Sequence, residues 1–213
     1  MFDLLHTTTD DGLRLSGLLS KGDKNKPLVL YIHGFEGDFF THKFISSISE
    51  KLSENNIAFL SVQTRGTANE LFYITTNGEW KKYGAHFELL EDAYLDIDAW
   101  ISCAISLGYS EIILQGHSLG TIKVIRYMFE GSYKERVKKI ILLAPFDRTY
   151  LIERFAPGKW ENFVEIAKQK VLEGKADEII PTEFDEVAMS YKTYVSWHDE
   201  NDYQHMFDFY DKD

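Results

Sequence analysis

The chain has 213 residues, of which 44% are hydrophobic and 27% charged, and its formal net charge is −11. This length and composition fit one folded globular domain and not a disordered chain. The acidic balance argues against general nucleic-acid binding and against a basic surface for anionic lipid, because phosphate groups attract positive charge. No stretch approaches the roughly 20 apolar residues that cross a bilayer. We therefore expect small-molecule partners, and neither nucleic acid nor a membrane.

Cysteine content and the first residues bear on location. The single cysteine, Cys103, cannot form an internal disulfide, and its apolar helical stretch predicts a buried, inert thiol. The first residues lack the basic segment and apolar run of a signal peptide. Both features predict a cytoplasmic protein. The high aromatic content, 15 Phe, 12 Tyr and 4 Trp, suggests a pocket or lid with an aromatic lining.

Apolar runs alternate with helical spacing along the first two thirds of the chain. Residues 4–8 and 13–19 alternate apolar and polar side chains around Asp10-Asp11-Gly12, which predicts an N-terminal antiparallel hairpin. Short continuous apolar runs, typical of strands buried on both faces, follow at residues 28–32, 57–62, 112–114 and 137–143. Helical spacing is present at residues 41–52, 87–107 and 119–130. The alternation predicts an α/β fold with a mainly parallel sheet and helices on both faces.

The pattern changes after Pro145. Residues 154–196 have helical and loop-like spacing and contain no apolar strand run. We predict a core over residues 1–145, followed by a lid-like helical segment and polar tail over residues 146–213 that belong to the same domain.

A predicted strand-to-helix junction carries the sequence Gly116-His117-Ser118-Leu119-Gly120. This G-x-S-x-G pattern is weak alone, but a buried strand leads into it and a helix follows. The two glycines permit a tight turn that exposes a serine at the positive end of the helix, the arrangement of a catalytic nucleophile. The alternative is a plain Ser-Gly turn. We predict Ser118 as the nucleophile.

Acyl transfer also needs hydrogen-bond donors for the oxyanion. The backbone N–H of Leu119, next after the serine, is one candidate. The second is the N–H of Phe35, because His33-Gly34 follows the strand at residues 28–32. The alternative for His33-Gly34 is a turn that merely ends the strand.

These features together resemble the α/β-hydrolase superfamily of serine esterases and lipases, over residues 13–145. The resemblance implies a serine hydrolase that acts on a carboxylic ester through an acyl-enzyme, with no cofactor and no metal. Residues 167–208 are similar to the lid of a hydrolase family that includes siderophore ester hydrolases.

The sequence departs from this family where the triad acid and histidine are expected, on loops behind the last two strands. No further apolar strand follows, so we expect the fold to be C-terminally incomplete and the activity of this chain to be in doubt. Asp147 could be the acid, although a helix cap is the favoured interpretation. His198 and His205 have the right chain order for a base, although their polar surroundings indicate a solvated tail. A metal site of His198, Asp202 and His205 has a spacing that matches no known site.

Three further residues have open roles, and the function itself has rival interpretations. His42 and His86 precede the serine, and Arg65 could bind an anionic group or cap its loop.

A hydrolase-fold protein that binds a ligand or protein without turnover is the alternative function, with an exposed sheet edge through which a homo-oligomer could form. Peptidase and thioesterase activities also stay open, because the fold alone does not fix the substrate.

Overall fold

The alternation of strands and helices is present in the computed structural model, which describes residues 2–145 and 147–198. The strands are β1 (Phe2–Thr8), β2 (Arg14–Ser20), β3 (Leu28–Ile32), β4 (Phe59–Val62), β5 (Leu71–Ile74), β6 (Trp80–Tyr83), β7 (Ile112–His117) and β8 (Val137–Leu143). The helices are α1 (Lys43–Glu54), α2 (Ala93–Ser106), α3 (Leu119–Glu130), α4 (Arg148–Phe155), α5 (Trp160–Leu172) and α6 (Tyr191–His198). None of the helices in these described ranges is long and apolar enough to cross a membrane.

Six strands form one sheet in the order β1-β2-β4-β3-β7-β8. The four strands β4, β3, β7 and β8 are parallel, whereas β1 and β2 are antiparallel to each other and β2 is antiparallel to β4. The predicted α/β class and the N-terminal hairpin are confirmed. Because parallel strands end at the same edge, the loops after β3 and β7 are brought side by side.

Helices cover both faces of the sheet, as the sequence predicts. Alternate residues of β3 point to opposite faces, so Leu30 packs with Ile97 and Trp100 of α2, while Tyr31 packs with Ile45 of α1. The larger core, on the α2 and α3 face, also receives the first hairpin through Leu15 and Leu19. Burial on both faces explains the continuous apolar run of β3.

Arg65 belongs to this framework. Its side chain is fully buried and pairs with Asp96 at 3.0 Å, Asp11 at 3.2 Å and Asp92 at 3.3 Å. The Arg65 backbone N–H also donates to Asp96 Oδ2 at 2.8 Å. The Arg65 guanidinium therefore links α2 to the first hairpin through these three carboxylates. This favours the structural interpretation of Arg65 over anion binding.

Two sequence expectations about strands were wrong. The loop after β4 contains the hairpin β5–β6, closed at Asn77-Gly78 with Gly78 at φ 84°, where only a long connection was predicted. Strand β8 was expected to be buried, but Lys139, Ile140 and Ile141 are exposed. The strand is last in the sheet order, and an apolar run does not by itself distinguish a central strand from a terminal one. A homo-oligomer formed through this edge stays a prediction.

Helices α4, α5 and α6 pack on the carboxyl edge of the sheet, in the region predicted to be lid-like. A second apolar cluster joins Leu119 and Ile122 of α3 to Ile152, Val164 and Tyr194 of these helices.

The helix predicted over residues 87–107 begins later than expected, with a 3₁₀ turn at Leu90–Asp92 before α2. The loop before it is tied to α6, because the carbonyl of His86 accepts from Ser190 N–H at 2.8 Å. Helices α4, α5 and α6, called the cap below, thus cover the point where β7 meets α3.

Candidate active site

Ser118 lies between the end of β7 and the start of α3, in a backbone conformation that few residues adopt. Its φ is 51° and ψ is −122°, and such outliers cost about 1–3 kcal/mol. The surrounding hydrogen bonds hold this geometry. Ser118 N–H donates to Leu143 O at 2.9 Å, and the Thr121 hydroxyl and N–H donate to Ser118 O at 2.6 and 2.8 Å. The turn therefore presents a partly exposed serine side chain at the edge of the sheet.

Two glycines let the loop after β3 and the turn at Ser118 approach each other. A Cβ on Gly120 would lie 2.4 Å from Ile32 O, so only glycine lets α3 start this close to β3. A Cβ on Gly34 would lie 2.8 Å from Ser118 Cβ. Both positions require glycine because the contacts are with backbone or with a rigid Cβ, which cannot move aside.

The two N–H groups predicted as oxyanion donors both belong to residues that line a cavity with Ser118. Neither the Phe35 N–H nor the Leu119 N–H donates to an acceptor in the part of the chain that the structure describes. Leu119 is the first residue of α3, where a backbone N–H has no partner within the helix. Two such donors beside one serine could bind an anionic oxygen.

His33 holds the loop that carries Phe35. It is fully buried, and burial together with the positive charge of Lys123 lowers its pKa to about 3, so the ring is neutral. His33 Nδ1 donates to Gly34 O at 2.8 Å. That carbonyl and the Phe35 N–H belong to the same planar peptide group, so the bond fixes the direction in which the N–H points.

The hydroxyls of two threonines complete the support of His33. With the proton on Nδ1, Nε2 is an acceptor for a threonine hydroxyl, and Thr67 Oγ1 and Thr64 Oγ1 lie 2.8 and 3.0 Å from it. Sequence reasoning used His33-Gly34 to place the Phe35 N–H, with a plain turn as the alternative, and did not predict this role for the His33 ring. The signal for it was the pair of hydroxyl residues flanking Arg65-Gly66, directly after β4.

The cavity beside Ser118 has a volume of about 330 Å³ and is mostly apolar. Besides Ser118 it is lined by Phe35, Leu119, Ala144, Leu151, Glu186, Val187 and Trp197. The rings of Phe35 and Trp197 meet edge to face, with centroids 5.3 Å apart. An aromatic lining contributed partly by the cap is what the aromatic content of the sequence suggested.

The histidines that precede Ser118 do not reach it. Among the described residues, none forms a hydrogen bond with Ser118 Oγ. His42 stacks on Phe44, with centroids 5.4 Å apart, on the face of the sheet covered by α1. His86 instead bonds Glu36 through Nε2 at 3.0 Å and stacks on Phe35.

The expectation that His198 belongs to a solvated tail was wrong. Helix α6 continues to His198, whose side chain is only 1% exposed because Tyr194 and Trp197 on the same helix bury this face in the cap. His198 Nδ1 donates to Tyr194 O at 2.6 Å, which places the proton on Nδ1. His205 and Asp202 lie outside the described residues, so a metal site formed with them stays untested. Within the described ranges, no group of three or more His, Cys, Asp or Glu side chains could hold a metal ion.

Asp147 is the N-cap of α4. Its Oδ1 accepts from Tyr150 N–H at 2.9 Å, which agrees with the favoured interpretation of this residue as a helix cap. We expect Asp147→Ala to lower the free energy of unfolding by about 1 kcal/mol, because an orphan N–H of the first turn loses its acceptor.

The same variant separates a cap from a catalytic acid. If the Asp147 carboxylate only caps the helix, urea denaturation shows the stability loss while kcat for ester hydrolysis stays within about threefold of wild type. A drop of several hundredfold in kcat would instead indicate the triad acid.

Comparison with known proteins agrees with this architecture. The α/β hydrolase GrgF from Penicillium sp. sh18 is 17% identical and has a TM-score of 0.61, over 92% of this chain and 72% of its own. Est1E from Butyrivibrio proteoclasticus, solved with ferulic acid bound, is 21% identical with a TM-score of 0.58, over 89% of this chain and 68% of its own. An esterase from Pyrococcus furiosus is 18% identical with a TM-score of 0.55, over 78% of this chain and 59% of its own.

The chain has the α/β-hydrolase fold, and it spans about three-fifths of the length of the Pyrococcus esterase. It belongs to the family described as Protein of unknown function (DUF1749), which matches residues 5–204. No curated protein sequence matches it.

Proposed function

We propose that this protein is a serine hydrolase that cleaves carboxylic esters through an acyl-enzyme on Ser118. One observation carries the proposal: a strained serine turn shares an apolar cavity with two N–H groups that donate to no acceptor in the described part of the chain. A turn that only joined a strand to a helix would need neither the strain nor a second unbonded N–H, from Phe35, at the same cavity. Solved relatives from Pyrococcus furiosus and Bacillus coagulans are named as esterases, which agrees with this class.

The proposed reaction has two halves. Ser118 Oγ attacks the carbonyl carbon and its proton passes to a histidine, while the N–H groups of Phe35 and Leu119 bind the oxyanion. The intermediate collapses, the alcohol leaves with that proton, and Ser118 holds the acyl group as an ester. Water then attacks the acyl-enzyme by the same route, which releases the acid and restores the serine.

In the triads of this fold the histidine follows the nucleophile along the chain, and His198 and His205 both lie after Ser118. His198 has the tautomer that a base needs, since a proton on Nδ1 makes Nε2 the basic nitrogen in the neutral ring. We therefore propose a histidine as the base, with His198 and His205 as candidates in this sequence, and a carboxylate that holds its tautomer. We also infer a small-molecule substrate and a cytoplasmic location.

Three substrates with a common acyl group test the reaction class. We expect saturable hydrolysis of 4-nitrophenyl acetate, because the cavity offers apolar contact and an oxyanion site, and we expect its kcat/KM to be higher than those for an acetyl thioester and for acetyl-4-nitroanilide. A higher kcat/KM for the thioester or the anilide would favour the thioesterase or peptidase alternative. Absence of turnover with all three substrates would favour the binding protein without catalysis.

A further inference from the structure

The cavity beside Ser118 combines aromatic rings with a single acidic side chain. Phe35 and Trp197 supply the rings, and Glu186, exposed on the loop before α6, is the charged residue among those that line the cavity in the described part of the chain. The other described lining residues are apolar apart from the serine itself, and they include no lysine or arginine. The cavity therefore offers a negative charge and two aromatic side chains to a ligand.

This combination distinguishes between charged ligands. An ammonium group is attracted by aromatic faces through their quadrupole and by a carboxylate through its charge. A carboxylate ligand would meet repulsion from Glu186, and the net charge of −11 adds to that repulsion over a longer range. A neutral ligand would gain only the apolar contact.

We propose that the substrates of this site are esters that carry an ammonium group, and that Glu186 is a specificity-determining residue for that charge. The inference rests on the proposed function, since it assigns the substrate class of the same cavity. Ser118 lies in the cavity with Glu186, so an ester bound with its carbonyl at the serine could place a cationic end toward the acid.

Binding of two isosteric esters tests the inference without turnover. Acetylcholine and 3,3-dimethylbutyl acetate have nearly the same shape and differ by one positive charge. Their dissociation constants are measured by calorimetry on the Ser118→Ala variant, which keeps the cavity and removes the nucleophile. We expect the preference for acetylcholine over the neutral ester to fall about two- to fivefold in Glu186→Gln, and further in Glu186→Lys, as for a solvent-exposed ion pair.

A matched control separates local from general charge effects. Glu183 is also exposed on this loop but does not line the cavity, so Glu183→Gln should leave the preference unchanged. The preference should also weaken with added salt in the parent protein and much less in Glu186→Gln, because ions screen an exposed charge. An unchanged ratio in both Glu186 variants would overturn the inference, and so would failure of acetylcholine to bind at millimolar concentration.

The result is independent of catalysis. Failure of the wild-type protein to hydrolyse any ester would contradict the proposed function, while the ratio of dissociation constants would still be measured on the Ser118→Ala protein. An unchanged ratio together with normal ester hydrolysis would contradict only the assignment of the substrate class.

Discussion

Replacing Ser118 by alanine is expected to lower kcat for ester hydrolysis by about four orders of magnitude or more. The alanine cannot form the acyl-enzyme, and the N–H groups of Phe35 and Leu119 can then assist only direct attack by water. The substrate-binding cavity is otherwise unchanged, so substrate binding should be nearly that of wild type. Steady-state kinetics with 4-nitrophenyl acetate measures the loss.

Two controls show that this loss is chemical. Ser106→Ala, on an exposed serine in the last turn of α2, should leave kcat within about twofold. Ser118→Ala keeps a Cβ at the same positive φ, so its free energy of unfolding should stay within about 1 kcal/mol of wild type. Hydrolysis by Ser118→Ala within tenfold of wild type would show that Ser118 is not the nucleophile.

Replacing Lys123 by methionine is expected to lower the free energy of unfolding by about 3–5 kcal/mol. Lys123 Nζ lies 2.6 Å from Glu88 Oε2, and both side chains are at most 1% exposed. Burial raises the pKa of Glu88, against the opposing effect of the Lys123 charge. Glu88 Oε1 has no hydrogen-bond partner among the described residues, so the lysine is the main group that compensates this carboxylate. Without it, a buried carboxyl group is left unpaired.

The Lys123–Glu88 ion pair joins helix α3 to the loop before α2. Lys123 lies on α3, one turn beyond Leu119, and Glu88 lies in the loop where His86 O binds the cap. Urea denaturation of the single variants and of Glu88→Gln/Lys123→Met measures the coupling. The double variant should regain most of the loss, because the unpaired charge is removed. If Lys123→Met lowers the free energy of unfolding by less than about 1 kcal/mol, this account of the ion pair is contradicted.

The sequence predicted the structure correctly where the residue pattern is a direct consequence of burial or of close backbone contact. The continuous apolar run of β3 reflects burial on both faces, and the glycines around Ser118 reflect close backbone contacts with Ile32 O and Gly34. Order along the chain then places the loop after β3 beside the turn after β7, since these strands are neighbours in the sheet. For these reasons the position of the Ser118 turn beside the loop that carries Phe35 could be predicted from the sequence.

Other features depend on contacts between residues distant in sequence, which local pattern does not encode. His33 looks like the end of a strand until Thr64 and Thr67 are seen around its ring. The sequence left two roles for Arg65, a ligand contact and a structural one, because its ion pairs with Asp96, Asp11 and Asp92 join separate parts of the chain. Burial of His198 likewise arises from packing of the cap. For this reason the cap and its buried polar groups were the least predictable part.

Covalent labelling tests the central claim most directly. The purified protein is treated with a fluorophosphonate, digested, and the modified peptide is sequenced by mass spectrometry. An activated Ser118 should displace fluoride and carry one phosphonyl group per chain, and the Ser118→Ala protein should remain unlabelled. Labelling of another residue, or equal labelling of wild type and Ser118→Ala, would contradict the assignment of Ser118 as the nucleophile.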